Sequence, residues 1–276
     1  AYNLADNLIS INANAKLFVL VCTDNFEAEN DSYIEFINYQ SLNDNLAKQI
    51  KDKYFESSKD NYRWSMKPVF MNHLLAEKNL DKIIYVDCDI HFFNSYEFLF
   101  KLLEENNILL SPHFRSKSYQ DDPINYILQF TSGIYNGGFV GATKQGINAL
   151  EWWAERCLEI CEVNTTNGQF VDQTHLNLLP VYFDKIHIIK HKGCNVANWN
   201  EKVCKRSLQN GQVLINDEFP IIFIHFTKST INGIINLTDN LLKTFLITYN
   251  KGLKDFGIDL EEANQAINKN NIQESL

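Results

Sequence analysis

The segment Lys82–Phe93 constrains the fold of this 276-residue chain more than any other. Its apolar, β-branched and aromatic residues predict a short buried strand. Two carboxylates, Asp87 and Asp89, stand one residue apart at the end of that strand, where unpaired charges would be heavily penalised. A divalent cation such as Mg²⁺ or Mn²⁺, which prefers oxygen ligands, would pair both of them. The alternative interpretation is a polar turn, or an aspartate that caps a helix.

The length and composition of the chain fit one globular domain of the larger kind. Hydrophobic residues make up 45% and charged residues 21% of the chain, which is ordinary for a globular protein. No apolar run reaches the roughly 18 residues that a membrane-spanning helix needs. The net charge of −9 argues against a nucleic-acid-binding protein, because such a protein needs a basic face. An anionic small ligand is still compatible, since a metal ion and a few cations can reverse the field inside a cleft.

The cysteines and the N-terminal residues bear on the cellular compartment. Residues 1–6 lack the basic and apolar regions of a signal peptide. The six cysteines lie mostly in apolar or helical segments, so we expect free buried thiols in a reducing cytosol. Cys157 and Cys161 could share a helix face, but no second pair accompanies them, which disfavours a zinc site. The sequence therefore predicts a cytoplasmic protein, or one peripheral to the inner face of the membrane.

Predicted strands and helices alternate along the chain. The predicted strands are residues 16–23, 82–93, 108–110, 135–142, 186–189 and 221–226. The predicted helices are residues 33–50, 67–80 with Pro68 in its first turn, 146–163, 172–178 and most of the segment from 237 to 272. Because neither a linker nor a repeat interrupts this alternation, we expect a single α/β domain at residues 1–236. Residues 237–276 are expected to form a helical extension that packs on it.

Two clusters of polar residues precede the Asp87/Asp89 strand. Thr23, Asp24 and Phe26 follow the first strand, where open α/β sheets bind ligands, although an ordinary strand-to-loop turn explains them as well. Arg63 and Lys67 lie at or just before a predicted helix N-terminus, where cations oppose the helix dipole. That position indicates a nearby anion, and a solvated helix start is the alternative.

Three further clusters follow the Asp87/Asp89 strand. Asn136 and Gly137 belong to a strand with consecutive glycines, which let a ligand approach the backbone closely, unless they mark a β-bulge. Asp172 and Gln173 begin a short polar helix, for which a solvated helix face is the alternative. His225 ends a late apolar strand, where it is either a hydrogen-bonded core residue or a third metal ligand.

Taken in this order, the clusters resemble those of nucleotide-sugar-dependent glycosyltransferases of the GT-A fold, closest to glycosyltransferase family 8 and its bacterial relatives. The resemblance covers roughly residues 16–230 and rests on four features. These are Asp87-Cys88-Asp89, Asn136-Gly137-Gly138, Asp172-Gln173 with Leu176-Asn177, and the strand that ends at His225. It implies a Rossmann-like domain with a mixed central sheet flanked by helices. The chain departs from family 8 after His225, where the usual glycine and Lys-Pro-Trp tripeptide do not follow.

The resemblance also implies a role for each candidate residue. Asp87, Asp89 and His225 would hold Mn²⁺ or Mg²⁺, and Asp87 would also contact the ribose. Thr23, Asp24 and Phe26 would cradle the nucleotide base. Arg63 and Lys67 would reach the donor sugar or phosphate, and Asn136 and Gly137 would line the sugar. Asp172 and Gln173 would lie beside the anomeric carbon, and Lys228 would support the leaving diphosphate.

The implied activity is transfer of a hexose from a nucleotide diphosphate sugar, expected to be a UDP-sugar, to an acceptor hydroxyl. The acceptor would be a saccharide or lipid-linked saccharide, as in bacterial surface glycan synthesis. The resemblance implies retention of the anomeric configuration; for inversion, Asp121 or Asp122 would be the candidate base. A sugar nucleotidyltransferase is a second interpretation, although no glycine-rich basic loop follows the first strand. A catalytically silent nucleotide-sugar-binding module is a third.

Overall fold

The computed structural model describes residues 1–24, 26, 29–236 and 238–260. The helices in this part are α1 (Tyr2–Ile11), α2 (Asn45–Tyr54), α3 (Lys59–Ala76), α4 (Glu97–Leu102), α5 (Pro123–Thr131), α6 (Ile147–Glu159), α7 (Leu179–Tyr182), α8 (Lys228–Ile235) and α9 (Lys243–Lys254). The strands are β1 (Leu17–Val21), β2 (Ile34–Asn38), β3 (Lys82–Val86), β4 (Ile90–Phe92), β5 (Ile108–Pro112), β6 (Tyr135–Thr143), β7 (Val163–Asn164), β8 (Gln169–Phe170), β9 (Ile186–Ile188), β10 (Arg206–Gln209), β11 (Gln212–Ile215), β12 (Phe219–Pro220) and β13 (Phe223–His225).

The central sheet is mixed. Its four strands follow the order β3-β6-β5-β9, in which β6 is antiparallel to β3 and β5, whereas β5 and β9 are parallel. Beside it, β1 and β2 pair in parallel and β13 pairs antiparallel with β4. The hairpin of β10 and β11 continues into β12. The predicted α/β class with a mixed sheet is confirmed.

Helices cover both faces of this sheet. Successive side chains of a strand point to opposite faces, and β5 follows this rule closely. Ile108 and Leu110 join a core that α2, α3 and α6 complete, whereas Leu109 joins Phe139 in a second core with residues of α1 and α4. Every residue of β6 is buried. The ends of β3 and β6 are therefore held rigidly, and the candidate site lies there.

Helix α3 begins earlier than its sequence predicts. The Ser58 side chain accepts a hydrogen bond from the Asn61 N–H and caps the helix, so Pro68 lies in the interior and not in the first turn. A proline there removes one backbone hydrogen bond. The helix tolerates this loss because it buries a broad apolar surface that includes Met66 and Phe70.

The earlier start of α3 changes the setting of two cations. Arg63 lies in the second turn and pairs with Asp60 at 2.6 Å, while Lys67 lies deeper in the helix and is buried. The prediction that both residues stand at a helix N-terminus is therefore wrong. Their positive charges are balanced by carboxylates and do not indicate an anion through the helix dipole.

The sequence predicts a helix over residues 33–50, but only the last part of this segment is an α-helix. Its first part forms β2, a short 3₁₀ turn follows at Tyr39–Ser41, and α2 begins at Asn45 under an Asp44 cap. Ile34 and Ile37 are buried in this strand. Parallel pairing with β1 over five residues overrides local preference, because strand formation depends on the neighbouring strand.

Helix α9 packs on the body of the molecule. The Tyr249 ring stacks on Phe226 with 4.3 Å between centroids, and Phe245 meets Phe93 edge-on at 4.8 Å. The division between a domain at residues 1–236 and an extension at 237–276 stays a prediction, and residues 237 and 261–276 lie outside the described part. Among the described helices, none combines the length and apolarity that crossing a bilayer requires.

Candidate functional site

Asp87 and Asp89 lie in the short connection between β3 and β4. The Asp87 N–H donates to the Gly138 carbonyl of β6 at 2.9 Å, and the Asp89 carbonyl accepts from the Phe226 N–H at 2.8 Å. His225 Nε2 lies 3.0 Å from Asp89 Oδ1 and 4.0 Å from Asp87 Oδ2. The side chains of two neighbouring aspartates and of a histidine far from them in sequence thus converge on one point.

A chain of amide groups orients the His225 ring. Asn195 Nδ2 donates to the Pro112 carbonyl at 3.2 Å, and Asn136 Nδ2 donates to Asn195 Oδ1 at 2.8 Å. Asn136 Oδ1 accepts from the Gly138 N–H at 2.6 Å. Because a carbonyl only accepts and an N–H only donates, both ends of this chain fix the direction of each amide.

The direction of the amides assigns the His225 tautomer. Asn136 Nδ2 lies 3.0 Å from His225 Nδ1, so Nδ1 accepts and the neutral ring carries its proton on Nε2, facing Asp89. Burial raises the pKa of Asp89, but the hydrogen bonds that Asp89 accepts, that from His225 first among them, outweigh it and lower the pKa overall. A cation that took Nε2 would displace this proton.

Three residues of this group fit a divalent metal ion. Asp87, Asp89 and His225 each offer one ligand atom, and these atoms lie within 4.8 Å of one another. Within the described part of the chain, no other group of three histidine, cysteine or acidic residues meets this condition. Carboxylate oxygens suit Mg²⁺ and Mn²⁺, and an imidazole nitrogen is compatible with the softer Mn²⁺.

Gly138 lies against Asp87 and His225, which together with Asp89 form the group called the metal cradle below. A Cβ atom at this position would lie 2.6 Å from His225 Cε1, 2.8 Å from Asp87 Oδ2 and 2.9 Å from Asn136 Oδ1. Such distances are well inside van der Waals contact. The close approach of the three side chains therefore requires glycine here.

Lys67 connects the metal cradle to a second, buried carboxylate. Its Nζ donates to the Gly137 carbonyl at 3.0 Å and lies 3.2 Å from Asp172 and 3.4 Å from Asp87. Burial lowers the pKa of Lys67, but the charges of Asp172 and Asp87 outweigh it, so the pKa lies above its usual value. Tyr85 completes the cluster by donating its hydroxyl to Asp87 at 2.5 Å.

Asp172 and Gln173 contact the backbone of β6 and not an open surface. Asp172 is only 1% exposed and lies against Gly137, where a Cβ atom would approach its Oδ2 to 2.9 Å. Gln173 accepts from the Gly137 N–H at 3.0 Å and donates to the Ser132 carbonyl at 2.5 Å. Both residues therefore hold Gly137 in place.

The buried Asp172 carboxyl should make stability depend on pH. Burial raises its pKa to about 6, although Lys67 opposes the rise. Because the folded pKa exceeds the usual value, the stability that Asp172 contributes is complete below about pH 4 and is lost as the pH rises through 6. We expect the unfolding free energy of the wild type, relative to Asp172→Asn, to fall by up to about 3 kcal/mol over this range. Urea titrations between about pH 4 and pH 8 measure it, and a difference that is constant with pH would contradict it.

The residues predicted to bind the nucleotide base lie at the end of β1. Asp24 Oδ1 accepts from the Tyr39 hydroxyl at 2.5 Å and from Gln40 Nε2 at 3.0 Å, and Thr23 is exposed. The Phe26 ring is 46% exposed and lies 5.7 Å from Phe36. One face of Phe26 is thus supported while much of its surface is open to a ligand.

Arg63 lies near Cys22, the residue that follows β1. Burial raises the pKa of the Cys22 thiol to about 11, and the positive charge of Arg63 opposes this rise. Lys228 is the first residue of α8, and its side chain is exposed. Among the described residues, no hydrogen bond or ion pair connects Lys228 with Asp87, Asp89 or His225.

Sequence reasoning did not find Tyr85, Asn195, Arg115 or Trp199, all of which lie at or beside this site. Tyr85 precedes the Asp87/Asp89 pair by two residues, and this short spacing was the one available signal. Asn195 and Arg115 lie outside the helices and strands, and Trp199 lies in a short 3₁₀ turn at Asn198–Asn200. None of the three follows a local pattern, so only their contacts reveal them.

No known protein-family profile matches the chain. It is 30% identical over 198 residues to the uncharacterized protein YfnF of Bacillus subtilis (strain 168), a match that covers 70% of this chain and 64% of that protein. It is 29% identical over 208 residues to the uncharacterized protein YfnD of the same strain, covering 72% of this chain and 62% of that protein. The chain therefore spans less than two thirds of the length of these relatives.

Three solved structures are distantly similar to this one. Mouse xyloside xylosyltransferase 1 has a TM-score of 0.41 and 11% identity, covering 71% of this chain and 76% of that chain. The glycosyltransferase GlyE of Streptococcus pneumoniae TIGR4 has a TM-score of 0.42 and 13% identity, covering 82% and 50%. The galactosyltransferase LgtC, in complex with donor and acceptor sugar analogs, has a TM-score of 0.40 and 14% identity, covering 71% and 66%.

Proposed function

We propose that this chain is a metal-dependent glycosyltransferase of the GT-A type. It would transfer a hexose from a nucleotide diphosphate sugar, most simply a UDP-sugar, to a hydroxyl of a saccharide or lipid-linked saccharide. The observation that carries this proposal is the convergence of Asp87, Asp89 and His225 within 4.8 Å. An ordinary polar turn, the alternative for the two aspartates, would not require a histidine oriented by two buried asparagines.

The residues of the cradle have distinct tasks in this proposal. Mn²⁺ or Mg²⁺ bound there would neutralise the charge that develops on the departing diphosphate. Asn136 orients His225 and Lys67 holds Asp87, so the ligands are positioned before the donor arrives. The exposed Phe26 ring offers an aromatic surface on which a nucleotide base can stack, with Thr23 and Asp24 as the other proposed contacts of the base and Arg63 as a proposed contact of the donor sugar or phosphate.

Gly137 and the residues that hold it would form the wall behind the donor sugar. We propose that Asp172 and Gln173 act as positioning residues, because their side chains contact Lys67 and the Gly137 backbone. Lys228 stays the proposed cation for the diphosphate, although it would have to approach from the first turn of α8.

Retention of the anomeric configuration is part of the proposal. An inverting reaction needs a carboxylate that deprotonates the acceptor, and Asp122 is one of two candidates. Asp122 instead caps α5 by accepting from the Asn125 N–H at 3.1 Å and from the Asn125 side chain at 2.9 Å. That engagement speaks against Asp122 as the base and leaves Asp121 as the other candidate. We also propose that the protein takes part in bacterial surface glycan synthesis at the cytoplasmic side of the membrane. Nucleic acid is not among its proposed partners.

Calorimetric titration tests the donor site directly. UDP, GDP and CMP are titrated with Mn²⁺ or with a chelator into the wild type and into Asp89→Ala. We expect one nucleotide to bind only with metal, and Asp89→Ala to weaken its binding at least tenfold, because a metal ligand is lost. Glu104→Ala, which removes an exposed carboxylate from its ion pair with Lys82, is the matched control. Failure of all three nucleotides to show metal-dependent binding would refute the proposed function.

A further inference from the structure

Arg115 differs from the other arginines of the chain in its partners. The other three pair with carboxylates: Arg63 with Asp60 at 2.6 Å, Arg156 with Glu159 at 2.7 Å and Arg206 with Asp239 at 3.0 Å. Arg115 donates from Nη1 to the neutral amide oxygen of Asn125 at 2.8 Å, and its Nε, like those of Arg156 and Arg206, is buried without a hydrogen-bond partner. Among the described residues, no carboxylate lies within ion-pair distance of it.

The charge of Arg115 is therefore only partly compensated. Burial lowers the pKa of Arg115 to about 10, and the charge of Asp122, whose carboxylate accepts from the side chain of Asn125 at 2.9 Å, opposes this fall without cancelling it. A charge withdrawn from water is costly unless an opposite charge or several hydrogen bonds offset the loss. An anionic ligand would supply that compensation.

Arg115 is connected to the metal cradle through Trp199. The guanidinium carbon lies 5.9 Å from the centre of the Trp199 ring, and this ring meets His225 edge-on at 5.6 Å between centroids. His113 contacts the same indole at 5.4 Å, and burial lowers the pKa of His113 to about 3, so it is neutral. The Trp199 Nε1–H is buried and has no partner. A second unpartnered donor thus accompanies Arg115 beside the site.

Lys192, Lys117 and Lys190 lie near one another beside Phe114, in a chain whose net charge is −9. The Lys192 Nζ lies 3.3 Å from the centre of the ring of Phe114, the neighbour of Arg115. Burial, and after it the charges of Lys117 and Lys190, lower the pKa of Lys192. Lys117 and Lys190 therefore repel Lys192, which a nearby anion would stabilise.

We propose that Arg115 and Trp199 form an acceptor subsite that binds an anionic group, a carboxylate or a phosphate, on the acceptor saccharide. This inference rests on the proposed function, because it names the acceptor of the same site. The guanidinium supplies a planar fork of donors that matches either anion, and the indole supplies an aromatic face for a sugar ring. Because Trp199 lies between Arg115 and His225, a sugar at this position would have its charged group at Arg115 and a hydroxyl towards the metal cradle.

The test compares three probes that share one ring: methyl glucuronide with a carboxylate, glucose 6-phosphate with a phosphate, and neutral methyl glucoside. Each is titrated calorimetrically, at constant ionic strength, into protein with Mg²⁺ and the nucleotide that binds in the UDP, GDP and CMP titrations. We expect the wild type to bind a charged probe about tenfold or more tightly than the neutral one. The charged probe that binds more tightly identifies the anion.

Variants of Arg115 separate ligand binding from a structural role. Arg115→Gln should erase the preference for the charged probe, and Arg115→Lys should keep part of it, while nucleotide affinity stays within about twofold. Lys48→Gln, which removes a positive charge from α2, controls for net charge and should keep the full preference. If Arg115 only organises α5 through Asn125, Arg115→Gln will weaken charged and neutral probes equally, and the subsite is overturned.

The outcomes also separate this inference from the proposed function. Equal affinity of the wild type for charged and neutral probes, or no binding of either charged probe, overturns the subsite even when the nucleotide binds. If the nucleotide fails to bind but the wild type still prefers a charged probe and Arg115→Gln does not, the anion site stands and the glycosyltransferase proposal fails.

Discussion

Replacing Lys67 with methionine should lower the free energy of unfolding by about 3–5 kcal/mol, because the change leaves two carboxylates without their shared cation. Lys67 is 7% exposed and lies 3.2 Å from Asp172 and 3.4 Å from Asp87. Asp172 is the more affected partner, since it is 1% exposed and its Oδ2 has no hydrogen bond besides this ion pair. The Gly137 carbonyl also loses its donor.

Urea unfolding of the wild type, Lys67→Met, Asp172→Asn and the double variant measures this effect. The double variant should be less destabilised than the sum of the two single changes, because Asp172→Asn removes the buried charge that Lys67→Met leaves unpaired. The loss in Lys67→Met should also shrink below about pH 5, where Asp172 is protonated.

Lys144→Met is the matched control for the Lys67 experiment. Lys144 pairs with Asp81, whose side chain is 86% exposed, so its loss should cost less than about 1 kcal/mol. If Lys67→Met costs no more than this control, the buried cluster does not stabilise the fold as its geometry indicates.

Substituting alanine for Gly138 should abolish the metal cradle. The added Cβ would lie 2.6 Å from His225 Cε1 and 2.8 Å from Asp87 Oδ2. One of the two side chains, or β6 itself, must move, and overpacking of this kind costs about 1–3 kcal/mol. Since the displaced groups are the proposed metal ligands, we expect Mn²⁺ affinity to fall at least tenfold.

Manganese titration followed by electron paramagnetic resonance or calorimetry gives this affinity without any nucleotide. Gly233→Ala in α8 is the control, because a Cβ there would meet Thr238 at 3.3 Å and Asn198 at 3.6 Å, contacts that small shifts relieve. Unchanged Mn²⁺ affinity in Gly138→Ala would show that the cation, if one binds, lies elsewhere.

Elements with strong local patterns were predictable from the sequence. The apolar runs at β1, β3, β5 and β6 and the amphipathic pattern of α6 correspond to observed elements, because burial on one or both faces leaves a periodic record. The segment at Ile34–Asn38 was not, since its strand exists only by pairing with β1. The beginning of α3 was misplaced because a proline is typical of a first helical turn, whereas the helix begins after the Ser58 cap and holds Pro68 in its interior.

The candidate site was predictable to a similar degree. Asp87, Asp89, Asn136 and His225 could be singled out because polar residues at the ends of buried strands are conspicuous, and Gly137 because consecutive glycines in a strand are unusual. The partners of Lys67 could not, since a lysine in a helix is ordinarily solvated. Arg115 and Trp199 could not either, because Arg115 lies outside the helices and strands, Trp199 lies in a short 3₁₀ turn, and the side-chain surroundings of both depend on the whole fold.

The sequence by itself determined the α/β class of this protein and the position of two aspartates at a buried strand end. Only the tertiary structure decided which cation neutralises Asp87 and Asp172, which tautomer His225 adopts and where a cation stays without a carboxylate. The physical reason is the distance along the chain over which each kind of interaction acts. Hydrophobic periodicity acts between neighbours in the chain, whereas ion pairs and hydrogen bonds in a buried site join residues that only folding brings together.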